Sequence, residues 1–267
     1  MIRLHTMVAL SALSAVMGAG AEPCRAVSPA YTVALVELYT SQGCSSCPPA
    51  DQWFSQLPAG QPQFRAIPLA LHIGYWDYIG WKDPFARKEF NDRQSRLAEH
   101  NGSGRVYTPE VFVGAAELAD WSHPSRFAAS LAAVNARAAL AHIELQAQWL
   151  AAGSEAAPQR LAVQARWSVD ASARDPQLLL AVKRNGYVTD VQAGENRGVT
   201  LRNDHVVRAW GGPFGPIRQP LVTELAVPAA SGDATLVAIA QDGATGTVLQ
   251  ALELGLAACA PGPFAPQ

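Results

Sequence analysis

Two periodicities divide the chain. Up to about residue 140, short apolar runs alternate with segments whose apolar positions recur at helical spacing. From about residue 141 every second position is apolar, the pattern of half-buried strands. The run Val33–Tyr39 (VALVELY) reads as a buried strand interrupted by Glu37. Ala50, Trp53, Phe54 and Leu57 then mark one face of a helix. It opens on Pro48-Pro49, where a missing N–H costs nothing, and stops at Pro58-Ala59-Gly60. Arg65–Ile73 (RAIPLALHI) predicts a second strand, in which Pro68 argues for an edge position or a bulge. Asp83-Pro84 predicts a helix start and Asn101-Gly102 its end. The apolar face of that helix (Ala86, Phe90, Leu97) is thin, which places it on the surface. A strand at Val111–Val113 turns toward Glu117-Leu118-Ala119, and a third helix carries Phe127, Leu131, Val134 and Ala138 on one face.

In the second half, Ile143, Leu145, Ala147 and Trp149 alternate with polar residues, and Leu161, Val163, Ala165, Trp167 and Val169 repeat the pattern. Further strands are predicted at 178–183, 206–210, 221–227, 235–241 and 247–254, with a hairpin at Asp242–Gly246. About seven short strands separated by turns predict an antiparallel sandwich. No flexible linker marks residue 140, so the two parts are expected to pack against each other.

The first residues read as an export signal. Arg3 precedes a short apolar stretch from Met7 to Met17, and Ala19-Gly20-Ala21 matches a small-residue cleavage site. That stretch is too short to span a bilayer comfortably. The expectation is a cleaved signal at residues 1–21 and a periplasmic or secreted chain without stable membrane insertion. The net charge of −2, without a cluster of Lys or Arg, argues against nucleic acid as a partner. The histidines show no metal-ligand spacing, and no cofactor motif is present. Asn, Asp, Glu and His gather at Gly194–His205, where a structured loop is expected rather than a ligand site.

The candidate chemistry is Cys44-Ser45-Ser46-Cys47, placed between the first strand and the first helix. N–H groups at a helix N-terminus stabilise a thiolate, so Cys44 is the candidate nucleophile and Cys47 the resolving thiol. An inert disulfide and half of a zinc site share this spacing, although no second C-x-x-C completes a site. Four cysteines allow three connectivities. If Cys44 pairs with Cys47, the remaining pair is Cys24–Cys259, a structural bridge between the chain ends. Arg105–Gly114 (RVYTPEVFVG) is the second informative stretch, since a proline just before an apolar strand removes a ladder donor. A cis Thr108–Pro109 bond would turn the chain there and leave the Thr108 backbone for an extended peptide; a trans proline at a loop end is the alternative.

Three ordered motifs, ELYTSQGCSSCPPAD, HIGYWDYIGWKDPF and RVYTPE, resemble the bacterial domain-of-unknown-function 1223 family, over nearly all of the chain after the signal. These exported proteins are similar to the thioredoxin superfamily, which sets a cis-proline against its C-x-x-C. The resemblance implies that Cys44 and Cys47 form the dithiol and that Pro109 is the cis-proline. Gly74 departs from it, standing where an acidic residue is expected. Glu37 takes the place of a buried acid that moves protons for the resolving cysteine, a general base if desolvated. Taken together, the expectation is an α/β thioredoxin-like domain at residues 22–140 followed by an all-β antiparallel sandwich at 141–267. Its function would be disulfide exchange with protein or small-molecule thiols, through Cys44, Cys47, Thr108, Pro109 and Glu37, without metal or cofactor. The alternatives are a binding protein braced by the C-x-x-C and a copper or zinc carrier.

Overall fold

The computed structural model describes residues 24–59, 61, 63–150, 158–216, 220–228, 233–257 and 259. The expected export signal lies outside them. No helix among the described residues is long and apolar enough to cross a membrane.

Strands β1 (Cys24–Val27), β2 (Ala34–Thr40), β3 (Ala66–His72), β4 (Glu110–Val113) and β5 (Ala116–Glu117) belong to the first half, with helices α1 (Pro48–Ser55), α2 (Lys88–His100) and α3 (Pro124–Asn135). The second half supplies β6 (Ala141–Trp149), β7 (Gln159–Val169), β8 (Pro176–Arg184), β9 (Tyr187–Asp190), β10 (Thr200–Asn203), β11 (Val206–Phe214), β12 (Leu221–Val227), β13 (Ala234–Asp242) and β14 (Val248–Gly255).

These strands overturn the expected α/β thioredoxin-like domain followed by a sandwich. One eight-stranded sheet runs β14-β13-β8-β11-β3-β2-β4-β5, so strands of both halves form a single layer in a mostly β protein. The join is parallel, Val206 of β11 lying opposite Ala70 of β3, and the Ala70 N–H donates to His205 O at 2.8 Å. β1 crosses the other way, pairing with β6 in a four-stranded sheet β1-β6-β7-β12. The sequence pattern could not show this, because it reports which face of a strand is buried and not which strand lies beside it.

Pro68 explains how β3 can be internal. Position 68 turns to the same neighbour as Ala70, which is β11, and β11 pairs only at Ala70, so Pro68 has no ladder partner to lose. Its carbonyl accepts the buried Lys183 ammonium at 3.2 Å.

Alternation along the strands builds separate cores. Leu178, Leu180 and Val182 of β8 pack on the four-stranded sheet with Ile143, Leu145 and Leu161. Leu179 and Ala181 face the other way, joining Phe90 and Leu97 of α2. On β2, Ala34, Val36 and Leu38 meet Ala50 and Phe54 of α1, whereas Leu35 and Tyr39 face α2. Helix α2 is therefore not the expected surface helix: Phe90, Arg93, Gln94 and Leu97 are all buried. The helix also starts later than predicted, at Lys88, because Asp83 is used elsewhere.

Candidate functional site

Cys44 and Cys47 form a disulfide at the start of α1, with Cys47 as the N-cap residue. Both are buried, at 1 % and 0 % exposure, on either side of exposed Ser45 and Ser46. Cys24 and Cys259 form the second disulfide, which ties β1 to the chain end beyond β14.

Thr108–Pro109 is a cis peptide. Cys44 Sγ lies 3.8 Å from Thr108 O and 3.3 Å from the Ser46 hydroxyl, which donates to that carbonyl at 3.3 Å. The Thr108 carbonyl is thus already engaged within the protein. Trp76 covers this corner: its Nε1–H donates to Thr108 Oγ1 at 2.7 Å, and its Cβ stands 3.2 Å from where a side chain at Gly43 would begin. Trp76, in the aromatic-rich stretch 75–81, therefore packs onto the dithiol loop, while Tyr78 in the same stretch remains 81 % exposed.

Glu37 is placed elsewhere. It shares the face of β2 with Leu35 and Tyr39, and its carboxylate takes the Arg93 guanidinium at 2.6 and 3.1 Å. A charge desolvated on that face is neutralised by α2, while α1 and the cysteines lie on the other face. Glu37, expected as a general base, is accordingly held in a buried ion pair with Arg93.

The residues around the dithiol that sequence reasoning missed come from both halves of the chain. Asn196, in the stretch expected to be an ordinary loop, donates through Nδ2 to Gln42 O and Cys44 O, each at 2.9 Å. Its neighbour Glu195 accepts the Ser45 N–H at 2.9 Å. Gln42 extends the same contact, donating to Thr189 Oγ1 and Asn203 Oδ1 and accepting the Trp81 indole N–H.

Behind the loop is a buried acid–base cluster of Asp51, His72 and Asp83. His72 Nδ1 lies 2.7 Å from Asp83 Oδ2, which also accepts the Gln42 N–H at 2.8 Å. Burial works against the imidazolium, but the Asp83 carboxylate outweighs it and raises the His72 pKa. Burial likewise works against the Asp83 charge, and His72 with the backbone N–H groups turns that into a lowered pKa. The nearby Asp51 on α1 is pushed up to about 7, mainly by burial, against the opposing pull of His72 and Thr40. His72 Nε2 is buried without a hydrogen-bond partner among the described residues. The available sequence signal was the i, i+4 spacing of Cys47 and Asp51, easily taken for an acidic residue in a first helical turn.

Three or more His, Cys, Asp or Glu side chains arranged to hold a metal ion do not occur among the described residues. The fold and site thus define a β-rich protein carrying a buried, short-loop disulfide at a helix N-terminus. The chain belongs to the family described as "Protein of unknown function (DUF1223)", whose model matches residues 35–241. Two solved structures resemble it in fold. A structural-genomics protein from Agrobacterium tumefaciens is 20 % identical, with a TM-score of 0.56, covering 89 % of this chain and 97 % of its own. HBP35 of Porphyromonas gingivalis is 12 % identical, with a TM-score of 0.58 over 90 % of this chain and 80 % of its own. No curated protein matches the chain.

Proposed function

We propose that this is an exported thiol–disulfide exchange protein acting through Cys44 and Cys47. The observation that carries the reading is a C-x-x-C disulfide closed at the N-terminus of α1, with Cys44 Sγ beside the Thr108 carbonyl. On reduction, the first-turn N–H groups favour the Cys44 thiolate, which attacks a substrate disulfide; Cys47 then displaces the mixed intermediate. Substrates are thiols and disulfides of proteins or small molecules. The kinship to the thioredoxin superfamily is in this reading a kinship of site, a dithiol beside a cis-proline, with Thr108 and Pro109 shaping the approach to Cys44.

The burial of both cysteines favours a second reading, a non-enzymatic interaction protein in which the bridge only braces the loop. The reduction potential of the Cys44–Cys47 pair, equilibrated against glutathione with mass-spectrometric readout, separates them. Exchange requires a value between about −120 and −270 mV, whereas a brace lies below about −300 mV.

A further inference from the structure

We propose that a partner polypeptide binds as an extended strand along the open edge of β10, in the groove between β10 and α1, and so brings its disulfide to Cys44. The backbone geometry of β10 carries the docking; that the partner brings a disulfide rests on the exchange reading above.

The register of β9 and β10 sets which backbone groups are open. The Val191 N–H donates to Val199 O at 3.0 Å, in the same register that sets Thr200 opposite Asp190 and Arg202 opposite Val188. Bonded pairs recur at every second residue of an antiparallel ladder, so Leu201 and Asn203 direct their backbone groups to β9. Thr200 and Arg202 turn theirs the other way. No hydrogen bond to the N–H or C=O of either residue occurs among the described residues. The Thr200 hydroxyl is engaged on the hairpin itself, with Asp190 at 2.6 Å.

This edge borders a cavity of about 360 Å³, walled by Pro48, Gln52 and Ser55 of the α1 side and by Val199, Thr200 and Arg202. Successive strand residues point to opposite faces, so neighbours from 199 to 202 border one groove together only along the strand's edge. A helix packed closely on a sheet edge would cover it, but here the groove keeps α1 and β10 apart. The groove starts at the dithiol. Pro48 follows Cys47, and Asn196, shortly before Thr200, holds the Cys44 carbonyl. At the other end the His205 ring meets Phe54 of α1, with centroids 5.6 Å apart.

The chemistry of the edge selects its occupant. Open N–H and C=O groups at alternate residues are met by an extended backbone, which a small thiol lacks. Val199, 43 % exposed at the dithiol end, offers the bound chain an apolar contact. Exposed Arg202 has no ion pair among the described residues, so an acidic side chain fits opposite it. The Thr108 carbonyl, on the opposite side of Cys44, already accepts the Ser46 hydroxyl, which leaves β10 as the open edge.

The test of docking uses the oxidised full chain and a peptide of about ten residues, alternating Val with polar residues, with one Asp and a central Ser. Amide hydrogen exchange followed by NMR is expected to slow about tenfold or more at Thr200 and Arg202 when the peptide binds, and not at Leu201 and Asn203. Methylating the peptide's amide nitrogens at alternate residues is expected to weaken binding about tenfold or more in one phase only. In the other phase the methylated nitrogens point away from β10. Equal binding by the two methylated peptides, no slowing at Thr200 and Arg202, or no binding at all overturns the docking.

The test of delivery uses the reduced full chain, with the central Ser replaced by Cys in a mixed disulfide with a coloured nitrobenzoate thiol. Cys44 thiolate attacks the peptide sulfur and releases the coloured thiolate. Cys47 then attacks Cys44 Sγ, closing the disulfide and releasing the peptide thiolate, while its proton passes to solvent. The two electrons of the dithiol thus end on the two released thiols. Colour is expected about tenfold faster from the peptide than from the same mixed disulfide of free N-acetylcysteine amide. Arg202→Pro removes an edge N–H without touching the β9 ladder and is expected to abolish that ratio, whereas misfolding would slow both substrates alike. Equal rates from the two substrates in the wild-type chain overturn the delivery. No colour from either overturns the exchange reading, and the amide protection at β10 then decides the docking by itself.

Discussion

Asn196 Nδ2 donates to the carbonyl of Cys44 across 152 residues of sequence, at 2.9 Å. Through this amide the second half of the chain fixes the backbone of the dithiol loop. The contact holds the backbone of Cys44, itself buried, so it bears on both local rigidity and access.

Replacing Asn196 by Ala removes two donors and leaves the buried carbonyls of Gln42 and Cys44 unpaired. The expected loss is about 2 kcal/mol of unfolding free energy, measured by denaturant titration. Reduction of the disulfide by a small thiol should accelerate by more than that loss predicts from global unfolding alone. An unchanged reduction rate would mean that the loop opens without moving Asn196.

The Glu37–Arg93 pair should matter for stability and not for thiol chemistry. Arg93→Ala leaves a buried carboxylate without its partner and should cost about 3–5 kcal/mol. Glu37→Gln, measured at a temperature where it stays folded, should leave the rate of thiol–disulfide exchange unchanged. Slower exchange in Glu37→Gln would give Glu37 a part in the thiol chemistry.

Asp51 gives stability a definite pH dependence. Its pKa is raised from 3.8 to about 7, so between those values the folded protein binds this proton and the unfolded chain does not. The contribution is fully present below about pH 4 and is lost as pH rises through about 7. Asp51→Asn should therefore gain stability relative to wild type between pH 4 and pH 8, by at most about 4 kcal/mol. Paired melts at the two pH values measure it; a constant difference between the proteins would contradict the raised pKa.

The Cys24–Cys259 bridge closes a separation of 235 residues and holds edge strand β1 to the end of the chain. Replacing both cysteines by Ser should lower stability by up to roughly 5 kcal/mol in the chain-entropy model. Disulfide exchange through Cys44 and Cys47 should survive the change wherever the protein remains folded. Loss of exchange without unfolding would show that the bridge supports the site as well as the fold.

By itself the sequence determined most of the elements and the dithiol. Proline at the start of α1, the alternation in β6 and β7, and the spacing of Cys44 and Cys47 are local signals, readable because backbone geometry and side-chain period act over a few residues. The tertiary structure alone decided that β11 lies beside β3, because burial on both faces of β3 reads the same whichever strand supplies its neighbour. It also decided the fate of the polar residues in apolar runs. Glu37 was visible as a buried charge, but only the packing of α2 on β2 shows that Arg93 takes it. Asp51, His72 and Asp83 lie on a helix, a strand and a loop, and nothing in their spacing joins them. Burial brings them together behind the loop that Asn196 from the far half holds, because ionic and hydrogen-bond partners inside a fold are chosen by proximity in space.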